Sequence, residues 1–211
     1  MTQAVVVVLA AGRGARFAGE RAGHGHKLEQ PFGASTVLGT TLAHAMQSGL
    51  PVVVVVTEPL LAHATSLLAA RDIVVLPEMG DPASSAPLGM GYSIASGVSV
   101  RPNARGWLVL PGDMPMVQPA TLRSVATALA EHPVVYAQHQ GRPGHPVAFA
   151  SELYSELATL SGDEGARRLI ARYPAHGEEV PDRGVLLDLD TEADLHHLRA
   201  AHALLAAAVA T

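Results

Sequence analysis

The chain has 211 residues, a formal net charge of -5 and an isoelectric point near 6.1. This balance offers no basic field for nucleic acid, so a small phosphorylated ligand is the better expectation. There are no cysteines, which excludes disulfides, thiolate metal sites and a cysteine nucleophile. The apolar stretches are too short to span a membrane, and the first ten residues lack the features of a signal peptide. We therefore expect a cytoplasmic protein that acts away from membranes.

Short Val-rich runs alternate with helical patterns along the chain. Continuous apolar runs of this length are typical of strands buried on both faces, as in parallel sheets. In chain order the predicted elements are a strand at 5–9, a glycine-rich loop at 12–33, a helix at 36–49, strand 52–56, helix 59–70, strand 73–76, a loop at 78–91, helix 92–100, strand 107–110, helix 119–131, strands 134–137 and 146–149, helices 151–160 and 163–173, strand 185–189 and a helix from 192 onward.

This order predicts an α/β fold with a doubly wound, mainly parallel sheet and helices on both faces. The strands around residues 134–149 indicate a small antiparallel excursion from that sheet. No internal repeat or linker interrupts the pattern, so we expect residues 1–211 to form a single domain.

The glycine-rich loop follows the first strand, at the end where open α/β sheets bind ligands. Residues 9–16 read LAAGRGAR, and Lys27 follows further on. Small residues let the backbone approach a phosphate, and two cations would complement a triphosphate. A glycine-rich surface turn and a dinucleotide-binding loop are the alternatives, although Phe17 stands where the dinucleotide motif needs a small residue. His24 and His26 in this loop form either a metal pair or part of a solvated segment.

A carboxylate follows the fourth predicted strand, where residues 111–115 read PGDMP. A hard oxygen ligand at a strand end suits Mg²⁺, which takes one or two carboxylates together with substrate phosphates. The alternative is that Asp113 simply forms a turn.

Three later motifs are ordinary when each is taken alone. GRPGHPVAF at 141–149 reads as a turn and a strand, and GDEGARRLI at 162–170 reads as a helix start with acids in its first turn. In DLDTEADL at 188–195, Asp188 and Asp190 are two positions apart and would share a strand face. They could hold a metal together, or Asp190 could cap the last helix.

The loop LAAGRGAR with HKL resembles the signature loop of sugar-nucleotide-type pyrophosphorylases and cytidylyltransferases, although residues 19–26 lengthen the usual spacing. GDMP resembles the GDxP element of molybdenum-cofactor nucleotidyltransferases, whose aspartate binds Mg²⁺. Together with the later motifs, the chain resembles the molybdenum cofactor cytidylyltransferase branch from residue 5 to about 198. The resemblance implies transfer of CMP from CTP to the phosphate of a molybdenum-carrying molybdopterin, with Mg²⁺ as cofactor. It also implies a protein partner in molybdoenzyme maturation.

The resemblance assigns a role to each matching position. The implied catalytic residues are Arg16, Lys27 and Asp113. The implied nucleotide-binding residues are Leu9, Ala10, Ala11, Gly12, Gly14, Arg16, Lys27, Ser84 and Ser93, of which Ser93 could instead cap a helix. The implied acceptor-binding residues are His145, Asp163 and Arg167. The implied metal ligands are Asp113 and Asp188, with Asp190 as the alternative to Asp188.

Two other functions use the same fold and stay open at this point. One is an NAD(P)-dependent oxidoreductase that binds its cofactor at the glycine loop, and the other is a non-catalytic nucleotide- or cofactor-binding protein. The incomplete glycine pattern disfavours the first, and the presence of Arg16, Lys27 and Asp113 disfavours the second.

Overall fold

A computed structural model describes residues 3–12, 17, 26–77 and 89–209 of the chain, with side chains to residue 205. The sequence-based roles of Gly14, Arg16 and Ser84, and the suggestion for His24, lie outside the described residues.

The described strands are short, and those at the centre of the sheet follow the Val-rich runs closely. In chain order they are β1 (Val5–Ala10), β2 (Pro31–Phe32), β3 (Ser35–Thr36), β4 (Val52–Thr57), β5 (Ile73–Leu76), β6 (Gly106–Pro111), β7 (Val134–His139), β8 (Arg142–Ala150) and β9 (Ala175–Glu179).

Seven of these strands form one sheet in the order β5-β4-β1-β6-β8-β7-β9, and β2 and β3 form a separate antiparallel pair. The pairings β5–β4, β4–β1, β1–β6 and β7–β9 are parallel, whereas β8 is antiparallel to both neighbours. The predicted mainly parallel sheet with a local antiparallel excursion is therefore confirmed.

Seven α-helices are described. They are α1 (Val37–Gln47), α2 (Leu61–Thr65), α3 (Met90–Ser99), α4 (Pro119–Ala128), α5 (Tyr154–Leu157), α6 (Arg167–Arg172) and α7 (Glu192–Val209). Shorter 3-10 turns lie at Lys27–Glu29, Glu58–Leu60, Ala70–Asp72, Ser151–Leu153 and Arg183–Leu186. No helix of the described residues is long and apolar enough to cross a membrane.

The helices cover both faces of the sheet. Side chains alternate along a strand, so Val6 and Val8 face a core shared with α1, α2, α4 and α7, whereas Val5 and Val7 face a core shared with α3, α5 and α6. Burial of the central strand on both faces explains why its sequence is continuously apolar.

The prediction of a strand at residues 185–189 is wrong. This segment begins as the 3-10 turn Arg183–Leu186, because the Asp182 carboxylate accepts a hydrogen bond from the Gly184 backbone N–H at 2.8 Å and caps the turn. The last strand of the sheet is instead β9, whose polar sequence AHGEE gives no apolar pattern because it pairs at the sheet edge. Asp188 and Asp190 therefore do not share a strand face.

The predicted helices at 151–160 and 163–173 are too long. The second begins only at Arg167, because Gly162 and Gly165 have left-handed φ values of 69° and 58° that interrupt a helix. The first contains the 3-10 turn Ser151–Leu153 and only one short α-helical turn in α5.

Candidate nucleotide and metal site

The ends of β1 and β6 lie side by side and bring the glycine loop next to Asp113. Leu9 is paired with Pro111 in the parallel register, and the Gly112 N–H donates to the Leu9 carbonyl at 2.8 Å. A Cβ at Gly112 would lie 3.0 Å from that carbonyl oxygen, so glycine allows the two strand ends to approach. Residues 9–12 and Asp113 consequently share one edge of the sheet.

Lys27 reaches this edge from the 3-10 turn Lys27–Glu29. Its ammonium donates to Asp113 Oδ2 at 2.5 Å and to the Leu189 carbonyl at 2.8 Å, and it lies 3.4 Å from Asp190 Oδ1. The Lys27 side chain is only 12% exposed, so these oxygens replace most of its water. The longer spacing before Lys27 does not prevent it from meeting Asp113.

The two oxygens of the Asp113 carboxylate have different surroundings. Oδ2 accepts from Lys27, whereas Oδ1 is buried and has no hydrogen-bond partner among the described residues. The backbone around it is fixed, because Thr41 Oγ1 on α1 donates to the Gly112 carbonyl at 3.0 Å and the Leu189 N–H donates to the Asp113 carbonyl at 3.1 Å. A buried carboxylate oxygen without a donor is costly unless a cation or ligand satisfies it.

The two late acids have different surroundings. Asp190 lies within ion-pair distance of Lys27, whereas Asp188 is exposed and acts electrostatically on His145. Asp190 is not the side-chain cap of α7. Instead, Thr191 Oγ1 accepts from the Asp194 N–H at 3.1 Å, and Asp194 Oδ2 accepts from the Thr191 N–H at 2.8 Å.

His145 lies on β8 beside these carboxylates. Burial lowers its pKa below the ordinary value, and the charges of Asp113 and Asp188 oppose that shift only in part. The imidazole is therefore neutral near pH 7. Gly144 precedes it because a Cβ there would overlap the Val185 carbonyl. This packing holds β8 against the turn that leads to Asp188.

Asp163 and Arg167 lie near the start of α3. Both side chains are exposed, and the Gly91 N–H donates to the Gly162 carbonyl at 2.9 Å. None of the hydrogen bonds or ion pairs among the described residues joins these two side chains to Lys27 or Asp113. They are therefore not part of the contacts that bring Lys27 and Asp113 together.

Ser93 does not cap a helix. Gly89 is the N-cap residue of α3, and the Ser93 N–H donates to the Gly89 carbonyl at 3.2 Å, one turn into the helix. The alternative role considered for Ser93 is therefore wrong.

His26 has a role that the sequence pattern did not reveal. Its ring accepts a hydrogen bond from the Leu28 N–H at 3.2 Å and contacts the Gly12 carbonyl at 2.8 Å, and Glu29 completes a capping box with it. The sequence signal was available, because a residue with a side-chain acceptor stands three positions before Glu29. Across the described parts of the chain, no group of three or more His, Cys, Asp or Glu side chains could hold a metal by itself.

The chain is similar in sequence to a known protein family and to known proteins. Residues 6–180 match the family model described as MobA-like NTP transferase domain. The chain is 31% identical to the purine catabolism protein PucB of Bacillus subtilis over 118 residues, which span 54% of this chain and 57% of that protein.

Solved structures extend the similarity to nearly the whole chain. Rv0371c from Mycobacterium tuberculosis H37Rv has a TM-score of 0.74 and 31% sequence identity, covering 94% of this chain and 97% of its own. A complex of Rv0371c with manganese gives a TM-score of 0.71, 31% identity, and coverage of 94% and 98%.

Proposed function

Because the chain belongs to the family of MobA-like NTP transferase domains and is a nucleotidyltransferase, we propose that it transfers CMP from CTP to the phosphate of a molybdenum-carrying pterin acceptor. An acceptor phosphate oxygen forms a bond to the α-phosphorus of CTP. The bond from that phosphorus to the α,β-bridging oxygen breaks, and its electron pair leaves with pyrophosphate. A phosphate oxygen is already a competent nucleophile, so the protein acts mainly by alignment and charge stabilisation.

One observation carries the proposal. The largely buried ammonium of Lys27 meets the carboxylate of Asp113 beside the small residues 9–12 at the end of β1. One oxygen of that carboxylate has no hydrogen-bond partner among the described residues. Such an arrangement supplies what a triphosphate requires: a close-approaching backbone, a fixed positive charge and an oxygen ligand for its metal. We assign nucleotide contacts to residues 9–12 and Ser93 within the described residues, and to Gly14, Arg16 and Ser84 beyond them.

The carboxylates of Asp113 and Asp190 fit a divalent cation. Asp113 Oδ1 is buried and meets no donor in the described ranges of the chain, and Asp190 Oδ1 lies 3.4 Å from the Lys27 ammonium. Two carboxylates suit Mg²⁺, which keeps waters and takes phosphate oxygens for its remaining positions. Asp188 is exposed, whereas Asp190 lies within ion-pair distance of Lys27, so we favour Asp190 over Asp188 as the second acid. When bound, the cation offsets charge on the triphosphate, and the manganese complex of Rv0371c is consistent with a divalent-metal site in this family.

Lys27 and Arg16 are proposed to stabilise charge on the phosphates during transfer. For Lys27, this requires that its ammonium exchange at least one of its present oxygen partners for a phosphate oxygen. The 3-10 turn Lys27–Glu29 can stay in place while the flexible four-carbon side chain of Lys27 moves.

The acceptor is proposed to bind between β8 and the start of α6. His145 is neutral there and can donate or accept one hydrogen bond without adding charge. Arg167 is exposed and cationic, which suits an anionic acceptor, and Asp163, which is also exposed, is proposed to bind a polar group of the acceptor. Delivery of the product to a maturing molybdoenzyme in the cytoplasm is part of the same proposal.

Pyrophosphate release tests the reaction directly. Purified protein is screened with CTP, GTP, ATP and UTP, each with Mg²⁺ or Mn²⁺, and with molybdopterin or its molybdenum-carrying form. We expect release with CTP and the molybdenum-carrying acceptor, loss in Asp113→Asn, and unchanged release in His196→Asn, an exposed control on α7. Release with GTP alone would overturn the base assignment. A rise in unfolding temperature with NADPH, and none with any of the triphosphates, would favour the oxidoreductase alternative.

A further inference from the structure

The imidazole of His26 joins two segments that are fourteen positions apart in the chain. Its Nε2 lies 2.8 Å from the Gly12 carbonyl just beyond β1, and its Nδ1 lies 3.2 Å from the Leu28 backbone nitrogen in the turn Lys27–Glu29. The backbone nitrogen of His26 donates to Glu29 Oε2 at 3.1 Å. We call these three contacts the His26 bridge.

The bridge specifies which ring nitrogen carries the proton. A backbone N–H can only donate, so Nδ1 must accept from Leu28 and is unprotonated. The proton of the neutral ring is then on Nε2, which donates to the Gly12 carbonyl. One imidazole therefore acts as the N-cap of a turn and as a donor to the neighbouring segment.

The turn held by this bridge carries Lys27. The Lys27 ammonium lies between Asp113 Oδ2 and the Leu189 carbonyl, and its backbone is adjacent to His26. The other end of the bridge is Gly12, which follows the end of β1. The bridge consequently sets the position of the lysine relative to the backbone that approaches the phosphates.

We propose that His26 is a positioning residue of the nucleotide site: its Nε2–H bond to Gly12 holds the turn that presents Lys27 to the triphosphate. The inference rests on the proposed function, because that function supplies the triphosphate as ligand. The tautomer of the His26 ring, in contrast, follows from the contacts of the free protein. The interpretation of His26 as half of a metal pair is replaced, because both ring nitrogens already have partners.

Two substitutions separate the two functions of the ring. His26→Asn keeps an acceptor for the Leu28 N–H at the δ position, and asparagine is a favoured N-cap residue. The asparagine side chain has no ε atom, so it cannot reach the Gly12 carbonyl. Glutamine carries an Nε2 donor, so His26→Gln can restore the bond to Gly12 but not the cap. His196→Asn is the matched control, since His196 is exposed on α7.

Affinity for a non-hydrolysable CTP analogue with Mg²⁺ is measured by calorimetry, and unfolding temperatures are measured in parallel. One hydrogen bond corresponds to about a 3- to 10-fold change in binding, so we expect His26→Asn to bind about 3- to 10-fold more weakly. We expect His26→Gln to bind within about 2-fold of wild type and the control to be unchanged. Equal losses in the Asn and Gln variants would overturn the role of the Gly12 bond.

A double-mutant cycle then distinguishes positioning from general support of the fold. If His26 acts through Lys27, the Asn substitution should cost less than about 2-fold in a Lys27→Met background. The same loss in both backgrounds would overturn the inference, and so would no loss in the wild-type background.

The tautomer provides a test that does not depend on nucleotide. In the free protein, a long-range ¹H–¹⁵N correlation spectrum of the histidine rings should show His26 with its proton on Nε2 and an unprotonated Nδ1. A proton on Nδ1 would overturn the bridge. Failure of the wild-type protein to bind any triphosphate, with the Nε2–H tautomer present, would instead overturn the proposed function.

Discussion

Replacing Lys27 with methionine should tighten divalent-metal binding to the nucleotide-free protein while it lowers turnover. The Lys27 ammonium lies 2.5 Å from Asp113 Oδ2 and 3.4 Å from Asp190 Oδ1. It therefore neutralises part of the charge that would attract a metal. Methionine keeps an unbranched stem without the charge, so both carboxylates become available to the cation.

Coulomb's law gives the size of the effect. A unit positive charge about 5 Å from a divalent cation raises its energy by about 2 kcal/mol in a water-like medium and by about 3 kcal/mol at an effective dielectric constant of about 40. Lys27 and Asp113 are 12% and 17% exposed, so the medium is less polar than bulk water. The lower energy corresponds to about 30-fold in affinity. Salt screening reduces it, and we expect a gain of about tenfold or more.

Electron paramagnetic resonance of free Mn²⁺ measures this affinity without nucleotide. Lys27→Arg retains the charge and should bind Mn²⁺ about as weakly as wild type. Adding Asp113→Asn to Lys27→Met should reverse the gain, because the ligand itself is then lost. An Mn²⁺ affinity in Lys27→Met equal to or weaker than that of wild type would refute the idea that the ammonium competes with the metal.

Three further outcomes are expected. Asp113→Asn should reduce pyrophosphate release by about 100-fold or more, because metal-based charge stabilisation is worth several kcal/mol; near-wild-type release at an unchanged unfolding temperature would contradict the assignment. Gly144→Ala should lower the free energy of unfolding by about 1–3 kcal/mol, because its Cβ would overlap the Val185 carbonyl, and an unchanged denaturation midpoint would count against this packing. Burial lowers the pKa of His44, so below about pH 6.5 the unfolded chain binds more protons than the folded protein, and the free energy of unfolding should decrease as the pH decreases. His44→Gln should make this pH dependence shallower in melting curves measured at several pH values, and an unchanged pH dependence would argue against a contribution from His44.

Much of the fold could be predicted because its central strands are buried on both faces. The runs at β1, β4 and β6 are continuously apolar, and Pro119 marks the start of α4. The edge strand β9 could not be predicted in the same way, because its mostly polar, partly exposed residues are ordered by pairing with β7 rather than by full burial. Hydrophobic pattern reports burial, and it therefore fails where hydrogen bonding alone orders the chain.

The roles of Asp188 and Asp190 show a second limit. Their spacing predicts two side chains on one strand face, which requires an extended backbone at that point. The Asp182 carboxylate instead caps a 3-10 turn just before them, and a turn changes the direction of each following side chain. The position of a carboxylate at a site thus depended on a local hydrogen bond that the apolar pattern does not encode.

Lys27 shows why the distance along the chain between two site residues is a poor guide to their distance in space. Closing a loop costs only about 0.6 kcal/mol more for each doubling of its length, which is within the value of one hydrogen bond. A longer segment before the lysine is therefore tolerated if its ends are joined, and the His26 contact with Gly12 joins residues fourteen positions apart. It follows that the residue preceding the lysine should constrain this site more strongly than the spacing does. A variant that shortens residues 19–25 but retains His26 should keep triphosphate affinity within about 3-fold, measured by the same calorimetry. Loss of binding in that variant, with His26 still bridged in the nitrogen spectrum, would mean that the intervening residues contact the nucleotide themselves.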